Sequence, residues 1–302
     1  MLKHFVLSIF LIFSTASYSY GFEVVAVKSS TAEPYSLAFE SFSRTFTSAV
    51  PTRGPKSITQ NAIITRTINQ DDTPDRLVRQ IRKENPDLLI AFGSKALRFT
   101  ASIKDIPIIY LLVPSPDKII RDRSNVTGVL LQPVAGLEFR ALRKIAPALK
   151  RIGVVYNPAK SKDLVRETIS NNKDLHYMLR PVQQPQEVAK QLDTLASEVD
   201  LVWMPPDSTV LTPHTEQSFY LFSLQNEVPL LAFSEKYLKK GASFAVSLDL
   251  SSMGDMAADL ALLIKNGAKA VNIPPIRPQQ VKLKQNSIIL NKLGFHIQEV
   301  GQ

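Results

Sequence analysis

Short apolar runs alternate with amphipathic stretches along most of this chain, and that rhythm limits its fold more than any other feature. FEVVAVK (22–28) and DLLIAFG (87–93) have the composition of buried strands. TPDRLVRQIRKE, which lies between them, opens with Thr73 as a helix N-cap and Pro74 at the first helical position. Strands that alternate with helices of this length predict βαβ units and a parallel sheet buried on both faces.

The alternation pauses near residues 126–133 and then begins again. RIGVVYNP predicts a strand, AKSKDLVRETISNN a helix, VDLVWMPP another strand, and VPLLAFS a further one. The chain is 302 residues long, enough for two modest domains. The sequence therefore predicts the α/β fold class, with two consecutive halves of similar size, each built around a doubly wound parallel sheet.

The N-terminus departs from this pattern. Lys3 precedes an apolar run at residues 5–13, and small and polar residues follow in STASYSYG. This is the pattern of a secretory signal peptide, and the run is shorter than the roughly 20 residues that cross a bilayer. We therefore expect residues 1–21 to be a signal peptide and the mature protein to be exported to the periplasm.

Composition removes several classes of function. The chain has no cysteine, which rules out disulfides, thiolate catalysis and a lipid-modified cysteine anchor. Its four histidines form no i, i+4 pair, so no metal site is predicted. The formal net charge is +9, but the basic residues are scattered over helical stretches, and we expect no nucleic-acid partner.

Motifs for nucleotide binding and for hydrolysis are also missing. The sequence has no GxGxxG, no GxxxxGK[ST] and no GxSxG, and no histidine adjoins a strand-end serine. A catalytic triad whose members are distant in the sequence but adjacent in the fold remains an open alternative. We therefore predict that the protein is not an enzyme and that it needs no cofactor.

The turns that follow the predicted strands are the candidate site. In open parallel sheets, ligands bind outside the carboxyl ends of the strands. These turns carry backbone N–H groups, hydroxyls, amides and a few carboxylates, and they occur in both halves. The serine, threonine and aspartate members are also typical helix caps, and the aromatic members are typical core residues. The candidates are Gly93, Ser94, Ser115, Asp117, Tyr156, Asn157, Asp207, Ser208, Thr209, Phe233 and Asp249.

The ordered series of motifs resembles a known family. NVTGVLL followed by KIAPALKRIGVVYNPAKS is similar to the ABC-transporter substrate-binding proteins that include tryptophan- and tyrosine-binding members. PDLLIAFGSKA, IPIIYLLVPSPD, VDLVWMPPDSTV and the run from VPLLAFSEKYLKKGASF to NIP match further stretches of that family in the same order. The resemblance covers almost the whole mature chain.

The resemblance implies the type I periplasmic-binding-protein fold, in which two α/β lobes are hinged around a central cleft. Residues 22–126 plus about 248–272 would form the N-terminal lobe, and residues 127–247 plus about 273–302 the C-terminal lobe. The protein would act as a monomer.

The resemblance also implies roles for the candidates. Gly93 and Ser94 would receive a ligand carboxylate, with Ser115 nearby, and Asp207 would receive its ammonium group. Ser208 and Thr209 would add hydrogen bonds, and Asn157 would line the cleft. The first loop, KSSTAEPYS, departs from the family's H-P-x-L-D pattern, and SPD replaces the usual D-P, which displaces Asp117.

Three hypotheses on function follow. The first is an exported protein that captures a small zwitterion, such as an amino acid, and delivers it to an ABC permease. The second is a ligand-sensing module that docks on a membrane receptor, a kinase or a cyclase. The third is an exported hydrolase or transferase on the same lobes, which lacks a nucleophile–base pair.

Overall fold

A computed structural model describes residues 21–49, 62–121 and 124–295. The predicted signal peptide falls almost entirely outside these residues. The described chain forms two β-sheets in succession, and we call each sheet with its flanking helices a lobe. The strands of the first sheet are β1 (Glu23–Lys28), β2 (Ala62–Thr67), β3 (Leu88–Phe92), β4 (Ile108–Leu111) and β5 (Val126–Gly128).

The first sheet has the strand order β2-β1-β3-β4-β5, and all its neighbouring strands are parallel. The central strand β3 is buried at every residue, as its unbroken apolar sequence requires. The winding changes direction between β1 and β3. Their carboxyl ends therefore flank a topological switch point, where α/β sheets bind ligands.

The second sheet repeats this winding. Its order is β11-β10-β9-β8-β6-β7, with the switch point between β6 and β8. The predicted repetition of organisation between the two halves is confirmed at the level of topology. The strands are β6 (Arg151–Tyr156), β7 (His176–Pro181), β8 (Leu201–Met204), β9 (Leu230–Ala232), β10 (Phe244–Leu248) and β11 (Val281–Gln285).

One strand differs from the prediction of parallel lobes. β11 pairs antiparallel with β10 at the edge of the second sheet. The chain leaves this sheet after β10 and returns from the same end, so its last strand runs in the opposite direction. The other strands of the described chain pair in parallel, as predicted.

Nine helices accompany these sheets in the described residues. Thr73 caps the second of them as predicted, since its hydroxyl accepts a hydrogen bond from the N–H of Arg76 at 3.3 Å. The helices are α1 (Glu33–Ser48), α2 (Pro74–Glu84), α3 (Ser94–Thr100), α4 (Leu137–Arg143), α5 (Pro158–Asn171), α6 (Val188–Asp193), α7 (Glu216–Asn226), α8 (Leu250–Lys265) and α9 (Ser287–Lys292).

Helix α8 follows a strand of the second sheet but packs on α1, beside the first sheet. Asp255 of α8 accepts hydrogen bonds from the hydroxyls of Ser41 at 2.7 Å and Thr45 at 2.6 Å. The two helices approach closely at Gly254, where a Cβ atom would lie 2.2 Å from the carbonyl oxygen of Ala38. The chain then returns past Val129, which forms a parallel bridge with Ile276.

The core fills both faces of both sheets. α1 and α8 cover one face of the first sheet, and α2 and α3 the other. In the second lobe, α4 and α5 cover one face, and α6 and α7 the other. Among the described residues, no helix has the length and apolar character needed to span a bilayer.

Candidate functional site

The first switch point carries a compact polar turn. Gly93 follows β3 with φ = +89°, a left-handed conformation that glycine adopts without steric cost. A Cβ atom at this position would lie 2.7 Å from both the Ser29 hydroxyl and the Tyr35 hydroxyl. Ser29, which follows β1, accepts a hydrogen bond from the N–H of Ala96 at 3.0 Å. The carboxyl ends of β1 and β3 are thus joined through one serine.

Ser94 begins α3, as the sequence predicts, and is half-buried. The N-cap position belongs to Gly93, so the alternative role of Ser94 as a cap is wrong. The next turn, after β4, carries Ser115 directly before a short 3-10 segment that contains Asp117, and both residues are exposed.

The second switch point is built around Asp207, which is 2% exposed. One carboxylate oxygen accepts hydrogen bonds from the N–H of Asn157 at 2.7 Å and the hydroxyl of Ser161 at 2.5 Å. The other accepts from the N–H groups of Thr209 at 2.9 Å and Val210 at 3.3 Å. The buried carboxylate therefore joins the turn after β6 to the turn after β8.

Asn157 extends this network. Its side-chain oxygen accepts from the N–H of Ala159 at 2.8 Å and so caps α5, while its amide donates to the Thr209 hydroxyl at 3.0 Å and to the Gln183 carbonyl at 3.2 Å. Because a hydroxyl carries one donor and two acceptor positions, Thr209 retains a donor after this contact.

The internal hydrogen bonds of Asp207 bear on its predicted role. Four protein donors already contact its two oxygens. A carboxylate in this arrangement fixes the geometry of its neighbours, and a ligand ammonium would have to share these acceptor positions. The contact with a ligand ammonium therefore stays a prediction, and the geometry favours a positioning role.

The remaining candidates lie at the same edge of the second sheet. Tyr156 ends β6 and is half-buried, and Ser208 is exposed. Phe233 follows β9, and the centre of its ring lies 5.3 Å from the centre of the Tyr237 ring. Asp249 caps α8 through the N–H groups of its first turn and forms an ion pair with Lys282 at 3.2 Å, so its predicted alternative as a helix cap is confirmed.

The structure thus assembles the candidates into two polar clusters, one at each switch point. Gly93 belongs to the first, and Asn157, Asp207 and Thr209 belong to the second. Sequence analysis missed Tyr35, Ser29 and Ser161. Their positions in the sequence could have indicated them. Ser29 directly follows a strand, and Tyr35 and Ser161 each lie in the first turn of a helix that follows a strand. That first turn lies at the same edge of the sheet as the end of the strand.

An apolar cavity of about 620 Å³ opens at this edge of the second sheet. Trp203 of β8 and Phe233 form aromatic parts of its wall, and residues 131–135, which connect the lobes, form another part. Most of the lining is aliphatic. The polar side chains in the lining are Gln132, Glu138, Ser234, Glu235 and Ser247.

Glu138, in the first turn of α4, is the unusual member of this lining. Burial raises the pKa of Glu138 to about 7, although backbone N–H groups at Gly136 and Glu138 favour its charged form. No basic side chain of the described residues contributes to that pKa. Glu235, by contrast, forms an ion pair with Lys284 at 2.7 Å, which lowers the pKa of Glu235. Sequence analysis did not single out Glu138.

The groups at the two switch points can recognise a ligand through hydrogen bonds. The residues described by the structure contain no group of three or more histidine, cysteine or acidic side chains that could hold a metal ion. Hydroxyls, amides and backbone N–H groups at two switch points, beside an apolar cavity, define a two-lobe α/β protein that binds small molecules.

Comparison with known proteins identifies the family. The model of the family described as ABC transporter substrate binding protein matches residues 53–300. The chain therefore belongs to that family, and both the resemblance read from its motifs and the predicted fold class are confirmed.

Its relatives are distant. A tyrosine-binding protein of Clostridioides difficile strain R20291 is 20% identical over 235 residues, which cover 74% of this chain and 66% of the relative, just under two thirds of its length. A ligand-free, open structure of a substrate-binding protein with adhesive properties from Clostridium difficile has a TM-score of 0.60 at 21% identity and covers 92% of this chain and 96% of that one. An arabinose-binding protein from Geobacillus stearothermophilus has a TM-score of 0.50 at 10% identity, covering 89% and 98%.

Proposed function

We propose that this protein captures a small zwitterion, such as an amino acid, in the cleft between its lobes and delivers it to an ABC permease. In this proposal, the N-terminal lobe comprises residues 22–126 plus about 248–272, and the C-terminal lobe residues 127–247 plus about 273–302, except that Thr127 and Gly128 complete β5 of the first sheet. The passages of the chain between the two sheets act as the hinge. The protein works as a monomer in the periplasm after its signal peptide is removed.

The observation that carries this proposal is the matching pair of polar switch points. Each sheet places a buried or half-buried polar cluster at the position where parallel sheets bind ligands. A ligand held between two such clusters contacts both lobes, so it favours the closed arrangement by the difference between its affinities for the closed and the open state.

In the first lobe, the turn at Gly93 and Ser94 receives the ligand carboxylate, with Ser115 nearby. Backbone N–H groups at the start of α3 and the adjacent hydroxyls suit a negative group. The Tyr35 hydroxyl, which lies over Gly93, adds one more donor at this position. Asp117, exposed beyond Ser115, lies at the rim of the cleft.

In the second lobe, Asn157, Ser208 and Thr209 supply hydrogen bonds to the ligand. Tyr156 and Phe233 contact its apolar part, and Asp249 fixes the start of α8. Asp207 orders this cluster. Its carboxylate already accepts hydrogen bonds from Asn157 and Ser161, so these bonds give little support to a direct contact with a ligand ammonium group.

An amino acid is the proposed ligand class because a distant relative binds tyrosine. The arabinose-binding structure shares the fold alone, so its ligand is not carried over to this chain. The polar groups at both switch points suit a ligand with hydrogen-bonding ends.

A thermal-shift screen of the twenty amino acids, followed by calorimetry, tests this proposal. A ligand at about 100 times its dissociation constant should stabilise the fold by about 2.7 kcal/mol. Native mass spectrometry of protein purified without denaturation adds an unbiased search for a retained ligand. If no amino acid shifts the unfolding temperature and no zwitterion copurifies, the proposed ligand class is wrong.

A further inference from the structure

The apolar cavity beside the second switch point has the size of a binding site. Its volume of about 620 Å³ lies within the roughly 300–1,000 Å³ of pockets for small molecules. Phe233 and the buried Trp203 form the aromatic part of the lining, and most other lining residues are aliphatic. A ligand that fills this space must present an apolar body.

The two carboxylates in the lining differ in their partners. Glu235 already has a cation, because Lys284 lies 2.7 Å away. Glu138 has no ion pair with a basic side chain in the described part of the chain, and it faces an apolar environment. An isolated carboxylate in such surroundings costs free energy unless a cation joins it. A ligand that brings a positive charge to Glu138 would therefore supply the partner that this carboxylate lacks among the described residues.

We propose that this cavity binds the apolar body of an organic amine, and that the ammonium group of the ligand pairs with Glu138. This inference rests on the proposed function and names the cation partner and ligand class of the second lobe. It assigns to Glu138 the role that the sequence suggested for Asp207.

Other charged or titratable groups lie on the elements that form and flank this cavity. Tyr177 of β7 interacts electrostatically with Glu138. Burial, and then the negative charge of Glu138, raise the pKa of Tyr177. Arg277 is held by Glu167 of α5 at 2.6 Å and by the carbonyl of Pro133 at 2.7 Å. On β11, Lys284 pairs with Glu235, and Lys282 pairs with Asp249 at 3.2 Å. Because these basic groups have partners of their own, Glu138 is the carboxylate available to a ligand.

This assignment makes binding depend on pH. Glu138 is charged above about pH 7 and neutral below it. An alkyl amine, with a pKa near that of lysine at about 10.4, stays charged throughout this range. Affinity for an amine should therefore fall by roughly 30-fold between pH 8.5 and pH 5.5, because the carboxylate must first lose its proton.

Calorimetry with two isosteric probes tests the inference. We expect 2-phenylethylamine to bind at pH 8.5 at least tenfold more tightly than 2-phenylethanol, and Glu138→Gln to remove both this preference and the pH dependence. Glu235→Gln is the matched control: the residue lines the same cavity but already has Lys284 as its partner, so the preference for the amine should persist. The unfolding temperature of each variant reports whether it is folded.

The outcomes separate this inference from the function on which it rests. Equal binding of the two probes, or an unchanged preference in Glu138→Gln, would overturn the role of Glu138. If an amino acid found in the screen binds Glu138→Gln as tightly as the wild type, the inference fails while the proposed function stands. If the amine binds through Glu138 but no amino acid binds, the proposed amino-acid function fails instead.

Discussion

The carboxylate of Asp207 accepts a hydrogen bond of 2.7 Å from the backbone N–H of Asn157, 50 residues away in the sequence. This contact joins the ends of β6 and β8, the two strands between which the winding of the second sheet reverses. Both residues are buried, and Ser161 adds a 2.5 Å hydrogen bond to the same oxygen. The second switch point is therefore held by a charged acceptor that the protein itself satisfies.

Replacing Asp207 by alanine should destabilise the fold. The change leaves the N–H groups of Asn157 and Thr209 without their acceptor in a buried site, and we expect a loss of about 3 kcal/mol or more in the free energy of unfolding, measured by urea denaturation. Ser208→Ala, at the exposed neighbouring position, is the control and should stay within about 0.5 kcal/mol. A stable Asp207→Ala variant that has lost only ligand affinity would instead support the direct contact predicted from the sequence.

Gly93→Ala should disturb the first switch point. The backbone there has φ = +89°, and a Cβ atom would lie 2.7 Å from the hydroxyls of Ser29 and Tyr35. We expect a loss of about 1–3 kcal/mol in the free energy of unfolding, together with weaker ligand binding. Gly267→Ala has a similar φ of +95° with nothing within 4 Å, so it should pay only the backbone cost, about 1 kcal/mol.

A second variant separates the two contributions at Gly93. Combining Gly93→Ala with Tyr35→Ala removes both the Tyr35 hydroxyl at 2.7 Å and its ring carbon at 2.8 Å, so the double variant should lose less stability than the sum of the two single changes. Equal stability of Gly93→Ala and Gly267→Ala would show that the hydroxyl contacts at Gly93 are unimportant.

Gly254→Ala should loosen α8 from the first lobe. A Cβ atom would lie 2.2 Å from the carbonyl oxygen of Ala38 and 2.9 Å from the N atom of Phe42, both in the backbone of α1. We expect a loss of about 3 kcal/mol, because backbone cannot yield as a side chain does. Leu263→Ala, on the half-exposed side of α8, should cost about 1 kcal/mol or less. A neutral Gly254→Ala would contradict the assignment of α8 to the first lobe.

Glu138→Gln should change how stability depends on pH. The pKa of Glu138 rises from 4.5 in the unfolded chain to about 7 in the fold, so the folded state binds the extra proton. The charged form therefore destabilises the wild type progressively as the pH rises from about 4.5 to 7, and fully above 7. Glutamine lacks this penalty.

The gain of Glu138→Gln over the wild type should therefore be about 1–2 kcal/mol larger at pH 8 than at pH 4.5, after allowance for the partial exposure of the side chain. Urea denaturation of both proteins at the two pH values measures it. A difference between the proteins that does not change with pH would mean that Glu138 titrates normally.

Much of the fold was predictable from local patterns. The apolar run of β3 and the Thr73–Pro74 start of α2 each carry their signal within a few residues. The reversed direction of β11 has no such local signal, because it depends on the path of the chain through the first lobe. The packing of α8 on α1 through Gly254 and Asp255 is likewise a contact between distant parts of the sequence, suggested by the family resemblance alone.

The site was predictable by position but less so by role. Strand ends located Gly93, Asn157 and Asp207, because the carboxyl ends of parallel strands meet at one edge. The sequence did not indicate that Ser161 would complete the hydrogen bonds of Asp207. Nor did it single out Glu138, because the polarity around a helical glutamate is set by the tertiary packing of Trp203 and Phe233.

The most direct measurement is a distance across the cleft. Because the chain has no cysteine, spin labels can be placed at Lys118→Cys in the first lobe and Lys160→Cys in the second, both at exposed positions near the switch points. Lys160→Cys with Lys190→Cys, both in the second lobe, provides the control pair. With the amino acid that gives the largest thermal shift, the distance between the lobes should shorten while the control distance stays fixed. An unchanged distance between the lobes at saturating ligand would contradict capture by closure.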